Sequence, residues 1–140
     1  YLKTLGAQEV ILRKEFDVEN KRPMGKERFA GVLDTVGGNI LAEALKQVKY
    51  DGVVTCCGLA ASISLNTNVF PFILRGVRLI GIDSVEASLD KKTQVWEKIA
   101  NEFKINTLNE LVDEISLDEI QQAYQKILQA KAVGRYLVKL

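Results

Sequence analysis

Histidine is absent from the 140 residues, and several other types are scarce: one tryptophan, one methionine, two cysteines and two prolines. The missing histidine removes Ser-His and Cys-His nucleophile systems, and histidine-bound zinc, from these residues. Cys56 and Cys57 are adjacent, and zero spacing does not make a zinc site. Neighbouring side chains on a strand point to opposite faces, which argues against a disulfide between them. They read as buried, inert small residues in a reducing compartment, and a cytoplasmic location is expected. Charge of either sign is not in excess: 19 basic residues face 18 acidic ones, for a net charge of +1. That balance gives no electrostatic case for nucleic acid or an acidic membrane, and neither partner is expected. No apolar run approaches the ~20 residues needed to span a bilayer, and no secretory apolar region opens the chain. The Gly-x-Gly-x-x-Gly fingerprint of dinucleotide binding is missing as well.

What remains is ordinary for a globular domain: 47% hydrophobic and 26% charged residues, in a chain long enough for a real core. The most informative stretch is Phe29-Ala30-Gly31-Val32-Leu33-Asp34-Thr35-Val36-Gly37-Gly38. An apolar run too short for a helix meets Asp34-Thr35, and two glycines break it before a helical pattern begins at Asn39. A buried parallel strand reads this way. In open α/β sheets the C-terminal end of such a strand faces the ligand crevice.

Taken in order, residues 1–5 read as the end of a helix stopped by Gly6, and residues 9–12 as a short strand followed by Arg13. The first residue is Tyr1 rather than Met, in a helix already under way, so a piece of a longer protein is expected. Residues 14–28 are charged, contain Pro23 and Gly25, and read as a loop with at most a partial helical turn. Strand 30–36 follows. Ile40, Leu41, Ala44, Leu45 and Val48 then fall on one helical face. Asp51-Gly52 reads as a turn and residues 53–57 as a second buried strand closed by Gly58. Residues 59–69 read as loop, residues 69–75 as a short apolar helix stopped by Gly76, and residues 78–83 as a third strand. Residues 91–103 carry Val95, Trp96, Ile99 and Phe103 on one face of a helix. Ser116 and Glu119 have capping-box spacing and open a helix with Ile120, Ala123, Tyr124, Ile127 and Leu128 as its buried face. Residues 135–140 read as a last strand after Gly134. This βα rhythm implies an α/β fold with a parallel sheet and helices on its faces.

Three strand ends carry polar or glycine residues: Asp34-Thr35, Gly58-Leu59 and Asp83-Ser84. On one sheet edge they make a crevice floor where a planar ligand can approach the backbone. Simple strand termination accounts for the same residues, and pattern alone leaves both readings open.

Six segments come in a familiar order: Tyr1-Leu-Lys-Thr-Leu-Gly-Ala7, Gly31-Val-Leu-Asp-Thr-Val-Gly37, Cys57-Gly-Leu59, Phe70-Pro-Phe-Ile-Leu-Arg75, Gly81-Ile-Asp-Ser84 and Gly134-Arg-Tyr-Leu-Val-Lys139. Together they resemble the C-terminal half of a medium-chain dehydrogenase/reductase, in the zinc-free quinone-oxidoreductase and acryloyl-CoA reductase branch. The resemblance covers essentially the whole chain. It implies a partial Rossmann-type doubly wound parallel sheet, with residues 9–12, 30–36, 53–57 and 78–83 as the third to sixth strands, plus a C-terminal helix and strand. In the order 3-2-1-4-5-6 the two absent strands fall between residues 9–12 and 30–36. Residues 30–36, 53–57 and 78–83 should therefore form one parallel ladder in that order, with residues 9–12 outside it. Residues 1–104 would be the nucleotide-binding domain lacking its first two strands, and residues 105–140 a segment that returns to the catalytic domain of the parent.

The resemblance further implies an NADP-dependent oxidoreductase that reduces a carbon–carbon double bond conjugated to a thioester or ketone, with NADP(H) as cofactor and a small molecule as substrate. Carried over by position, Arg13 would face the adenosine 2′-phosphate. Gly58 and Leu59 would lie along the nicotinamide, and Ile73 and Ser84 would line the nicotinamide end. Catalytic residues are not assigned, and the 140 residues alone should be inactive. Members carry Asn just before the final Gly-Arg strand; Gln129 and Ala130 stand in that place here. A homodimer is implied through the strand at 78–83. A second reading is a non-catalytic nucleotide-domain module that serves in dimerisation. A third, a Rossmann-like methyltransferase, is disfavoured by the missing glycine-rich first loop and terminal hairpin.

Overall fold

Val32, Val54 and Leu79 stand side by side in the register of three parallel strands, and their side chains lie in or against one apolar core with Leu41, Leu45, Val48 and Val77. The computed structural model that shows this describes all 140 residues. The chain divides into two units, Ile11–Ala87 and Tyr1–Val10 with Ser88–Leu140.

In the unit Ile11–Ala87, one helical turn α1 (Arg13–Phe16) precedes β1 (Phe29–Asp34), α2 (Gly38–Leu45), β2 (Val48–Cys56), α3 (Phe70–Arg75) and β3 (Arg78–Gly81). The strands pair in the order β1-β2-β3, all parallel. This is the ladder and the order expected from the sequence. The parallel arrangement follows from the crossovers, since each pair of strands is joined by a segment containing a helix. Leu41, Ala44 and Leu45 bury one face of α2, and Leu45, Val48 and Val54 are fully buried. Truncating a residue such as Leu45 to alanine would cost about 2–5 kcal/mol. α3 starts with Pro71 in its first turn, where a missing N–H costs nothing, and stops at the left-handed Gly76.

Several local expectations are corrected. Val48, expected on a helical face with Ile40 to Leu45, is the first residue of β2. Residues 9–12 are not a strand; Leu12 has extended backbone but residues 9–12 join no ladder. Their β-prone side chains meet no neighbouring strand, and backbone propensity alone does not make a sheet. Asp51-Gly52 is not a turn between elements but a bulge inside β2. Register advances from Phe29 to Gly31 in β1 while it advances from Val48 to Val53 in β2. Asp51 adopts φ 56° there. A Cβ on Gly52 would lie 2.8 Å from the Ala30 carbonyl oxygen, which reserves the position for glycine.

The segment between α1 and β1 has little regular structure, yet it is well held. Glu43 and Lys46 of the α2 region are both buried and pair at 2.6 Å. The Asn20 N–H donates to Glu43 Oε1 at 3.0 Å, and Lys46 Nζ donates to the Asn20 carbonyl at 2.7 Å. Asn39 Nδ2 donates to Asp17 Oδ1 at 2.8 Å. Buried charge is tolerated because each group has a partner and a further hydrogen bond.

The unit of Tyr1–Val10 and Ser88–Leu140 opens with a turn in which the Leu5 N–H donates to the Tyr1 carbonyl. It then holds α4 (Leu89–Ala100), a 3₁₀ turn (Leu108–Leu111), β4 (Val112–Ile115), a second 3₁₀ turn (Leu117–Glu119), α5 (Ile120–Leu128) and β5 (Arg135–Val138). Ser88 caps α4 by accepting from the Lys91 N–H at 3.3 Å. At the entry to α5, the Ser116 N–H and hydroxyl both donate to Glu119 Oε2 at 2.8 Å. β4 and β5 form a parallel two-stranded ladder. β4 is unexpected from the sequence, because Val112-Asp-Glu-Ile115 is short and half charged. The apolar faces of α4 and α5 are not buried here: Trp96 and Tyr124 are exposed, and Ala123 is the one buried residue of α5. Amphipathic spacing identified the helices but not what covers them.

Candidate functional site at the carboxyl ends of the sheet

β2 and β3 run side by side and end at Cys56 and Gly81. Ladder geometry persists just beyond: the Ile82 N–H donates to the Cys56 carbonyl at 2.9 Å, and the Cys57 N–H donates to the Asp34 carbonyl at 2.9 Å. The three strand ends are thus fastened to one another before the chain departs. Cys56, Cys57, Gly58, Leu59, Gly81, Ile82 and Asp83 line an open cavity of about 390 Å³ at this edge. Two of its lining residues are glycines, Leu59 and Ile82 bring exposed apolar side chains to it, and Asp83 brings a carboxylate. Such a surface suits a flat ring with a few polar contacts at its rim.

Gly58 is what allows the ends of β1 and β2 to meet. A Cβ there would lie 2.7 Å from the Thr35 carbonyl carbon and 2.9 Å from its Cα. Backbone meets backbone at this point, and no other residue fits without displacement. Asp34 stabilises the neighbouring turn: it is buried, and its Oδ2 accepts the Gly37 N–H at 2.9 Å. Asp34 and Thr35 themselves face a second depression of about 270 Å³, lined with Phe16, Phe29 and Ile40. Asp83 organises the loop after β3, since its Oδ1 accepts the N–H groups of Val85 and Glu86 at 2.9 and 3.1 Å. That turn carries Ser84.

Of the five residues singled out by resemblance, Gly58 and Leu59 line the cavity, and Ser84 follows directly on its lining residue Asp83. Ile73 is exposed on α3, and Arg13 is exposed at the start of α1; neither borders this cavity. Gly81 and Ile82 were missed as lining residues. Their signal was available, because they sit where an apolar strand gives way to a polar loop. The cysteines are corrected: Cys57 is exposed and Cys56 only half-buried. Strand ends face the crevice rather than the core, and the Cys57 thiol lies 3.6 Å from the Asp34 carbonyl.

Residues 1–103 match the family model described as zinc-binding dehydrogenase. The chain belongs to the zinc-binding dehydrogenase family. Its relatives include the acrylyl-CoA reductase AcuI of Ruegeria pomeroyi, 38% identical over 99% of this chain and 42% of that protein. They also include Bacillus subtilis YhfP, named provisionally as a quinone oxidoreductase and 42% identical over all of this chain and 43% of that protein. A crystal structure of YhfP with NAD bound superposes at a TM-score of 0.91, covering 99% of this chain and 43% of that one. The structure of Escherichia coli YhdH with bound NADPH gives 0.86 at 41% identity, over 99% and 42% of the two chains. The chain spans less than half the length of these relatives. They agree with the medium-chain oxidoreductase resemblance and with a Rossmann-like parallel sheet. Zinc is a different matter. These residues contain no histidine, and no group of three or more Cys, Asp and Glu is placed to hold a metal ion. The donor set of these residues does not fit zinc.

Proposed function

We propose that this chain is the cofactor-binding portion of an NADPH-dependent oxidoreductase that reduces an activated carbon–carbon double bond, with an acryloyl thioester or an enone-like molecule as substrate. The observation that carries this reading is the cavity at the carboxyl ends of β2 and β3, lined by Gly58, Gly81 and the apolar side chains of Leu59 and Ile82. Similarity to the NADPH-bound and NAD-bound relatives supports it. The bound cofactor would supply the hydride. Gly58 would let the nicotinamide ring approach the peptide plane, Leu59 and Ile82 would shield it from water, and Ser84 would offer a hydroxyl at the rim. Ile73 would contribute an apolar contact from α3. Arg13, exposed at the head of α1, would pair with the 2′-phosphate, where a guanidinium can bind two oxygens at once. The glycine loop that usually seats the pyrophosphate is not among these residues, so binding by this chain alone should be weak.

The test is titration of the chain with NADPH and with NADH, before and after Arg13→Ala. The reading expects a preference for NADPH that the substitution removes. Equal affinities in the unsubstituted chain would defeat the Arg13 assignment.

A second reading is favoured by one observation. β3 is an outer strand of its sheet, paired on one side only. An open parallel edge can pair with a copy of itself, which would make the unit a dimerisation element as well.

A further inference from the structure

α3 has an unusual attachment. It is six residues long, too short to be stable by its own backbone bonds, and Pro71 is its only buried residue. Ile73 and Leu74 are exposed at 67% and 59%, so its apolar seating rests on Pro71 and on Phe72, which packs against the core. Arg75, in its last turn, adds a polar attachment to other segments. Nη1 donates to the carbonyls of Lys46 at 3.0 Å and Val48 at 3.1 Å. Nη2 donates to the Gly25 carbonyl at 2.7 Å. Nε lies 3.4 Å from Glu27 Oε1. The Gly25 N–H returns a bond to the same Lys46 carbonyl at 2.8 Å. One half-buried guanidinium therefore joins three separate pieces of chain: the end of α2, the head of β2 and the irregular segment before β1.

We propose that Arg75 is a positioning residue that seats both α3 and residues 23–28 on the start of β2. Three carbonyls from different segments require several donors held in one plane, which arginine has and lysine lacks. Arg75 stands two residues from Ile73 in α3, and residues 23–28 belong to the segment that follows Arg13. The consequence for cofactor contacts rests on the proposed roles of Ile73 and Arg13; the seating itself does not.

The test is amide hydrogen exchange, read residue by residue, on the whole chain and on Arg75→Met and Arg75→Lys, without cofactor. The expected result is exchange faster by about tenfold or more at Gly25, Ile73 and Val77 in both variants, with the β1–β2 ladder amides changing far less. These three N–H groups are bonded to Lys46, Val69 and Pro71 carbonyls in the unsubstituted chain. Unchanged protection, or a uniform loss throughout Ile11–Ala87, would overturn the proposal, as would failure of both variants to fold. The lysine variant separates loss of the planar fork from loss of charge. NADPH titration of the same variants keeps the two readings apart: local loosening with unaltered NADPH affinity would uphold the seating and count against the cofactor roles of Ile73 and Arg13.

Discussion

Gly58 and Thr35 touch through their backbones, so closely that a Cβ on Gly58 would sit 2.9 Å from the Thr35 Cα. This contact joins the end of β1 to the end of β2, beside the cavity that Gly58 lines. Gly58→Ala should destabilise the sheet unit by about 1–3 kcal/mol, because backbone on both sides must move. It should also weaken NADPH binding. Urea denaturation checks the first effect; a variant with an unaltered midpoint would show that the contact yields easily.

The buried Glu43–Lys46 pair holds Asn20 by both its N–H and its carbonyl. Removing one partner leaves the other charged and buried. Lys46→Met should therefore cost about 3–5 kcal/mol, and the double change with Glu43→Gln should recover much of that loss. A double-mutant cycle measures the difference. Simple additivity of the two single losses would contradict the account.

Glu119 gives a pH dependence. The Ser116 N–H, and then the Ser116 hydroxyl, hold its carboxyl below the ordinary value of 4.5. A carboxyl depressed in the folded state adds stability above its unfolded value, and that stability is lost as pH falls through the folded one. The start of α5 should hence loosen only in acid below the usual glutamate range. An NMR titration of the Glu119 carboxyl should give a lowered midpoint that rises only part of the way to the ordinary value in Ser116→Ala, since that variant removes the hydroxyl and keeps the backbone N–H.

Association is the next expectation. If the free edge of β3 pairs with a second copy, Ile80→Pro should shift a dimer to monomer, because proline removes a donor and distorts the strand. Sedimentation decides this; an unsubstituted chain that stays monomeric at tens of micromolar would exclude the edge as a self-sufficient interface.

The sequence and the structure agree where local and tertiary forces coincide. The short apolar runs at Val32, Val54 and Leu79 marked strands. Val54 is fully buried and Val32 and Leu79 pack against the core, whereas Leu33 and Ile80 of the same runs are exposed. Burial on both faces therefore does not hold for β1 and β3. Gly76 and Ser116 act within a few residues of themselves, and their roles as helix stop and cap were legible for that reason. Residues 9–12 look like a strand but join no ladder here, and strand pairing is a property of the sheet, not of the segment. Asp51-Gly52 looks like a turn because the bulge uses turn chemistry inside a continuing strand. For the site, Gly58 and Leu59 could be found because a glycine ends a buried run. Arg75 could not, since nothing local says that an arginine at a helix end will meet carbonyls from residues 25, 46 and 48.

The central claim is that the edge formed by β2 and β3 receives the nicotinamide end of NADPH. The most direct measurement is backbone amide NMR of this chain during titration with NADPH into the millimolar range. The account predicts saturable shifts concentrated at Gly58, Leu59, Gly81, Ile82 and Ser84, with residues of β4 and β5 unmoved. Absence of saturable shifts at those five residues, or shifts centred on other parts of the chain, would contradict it.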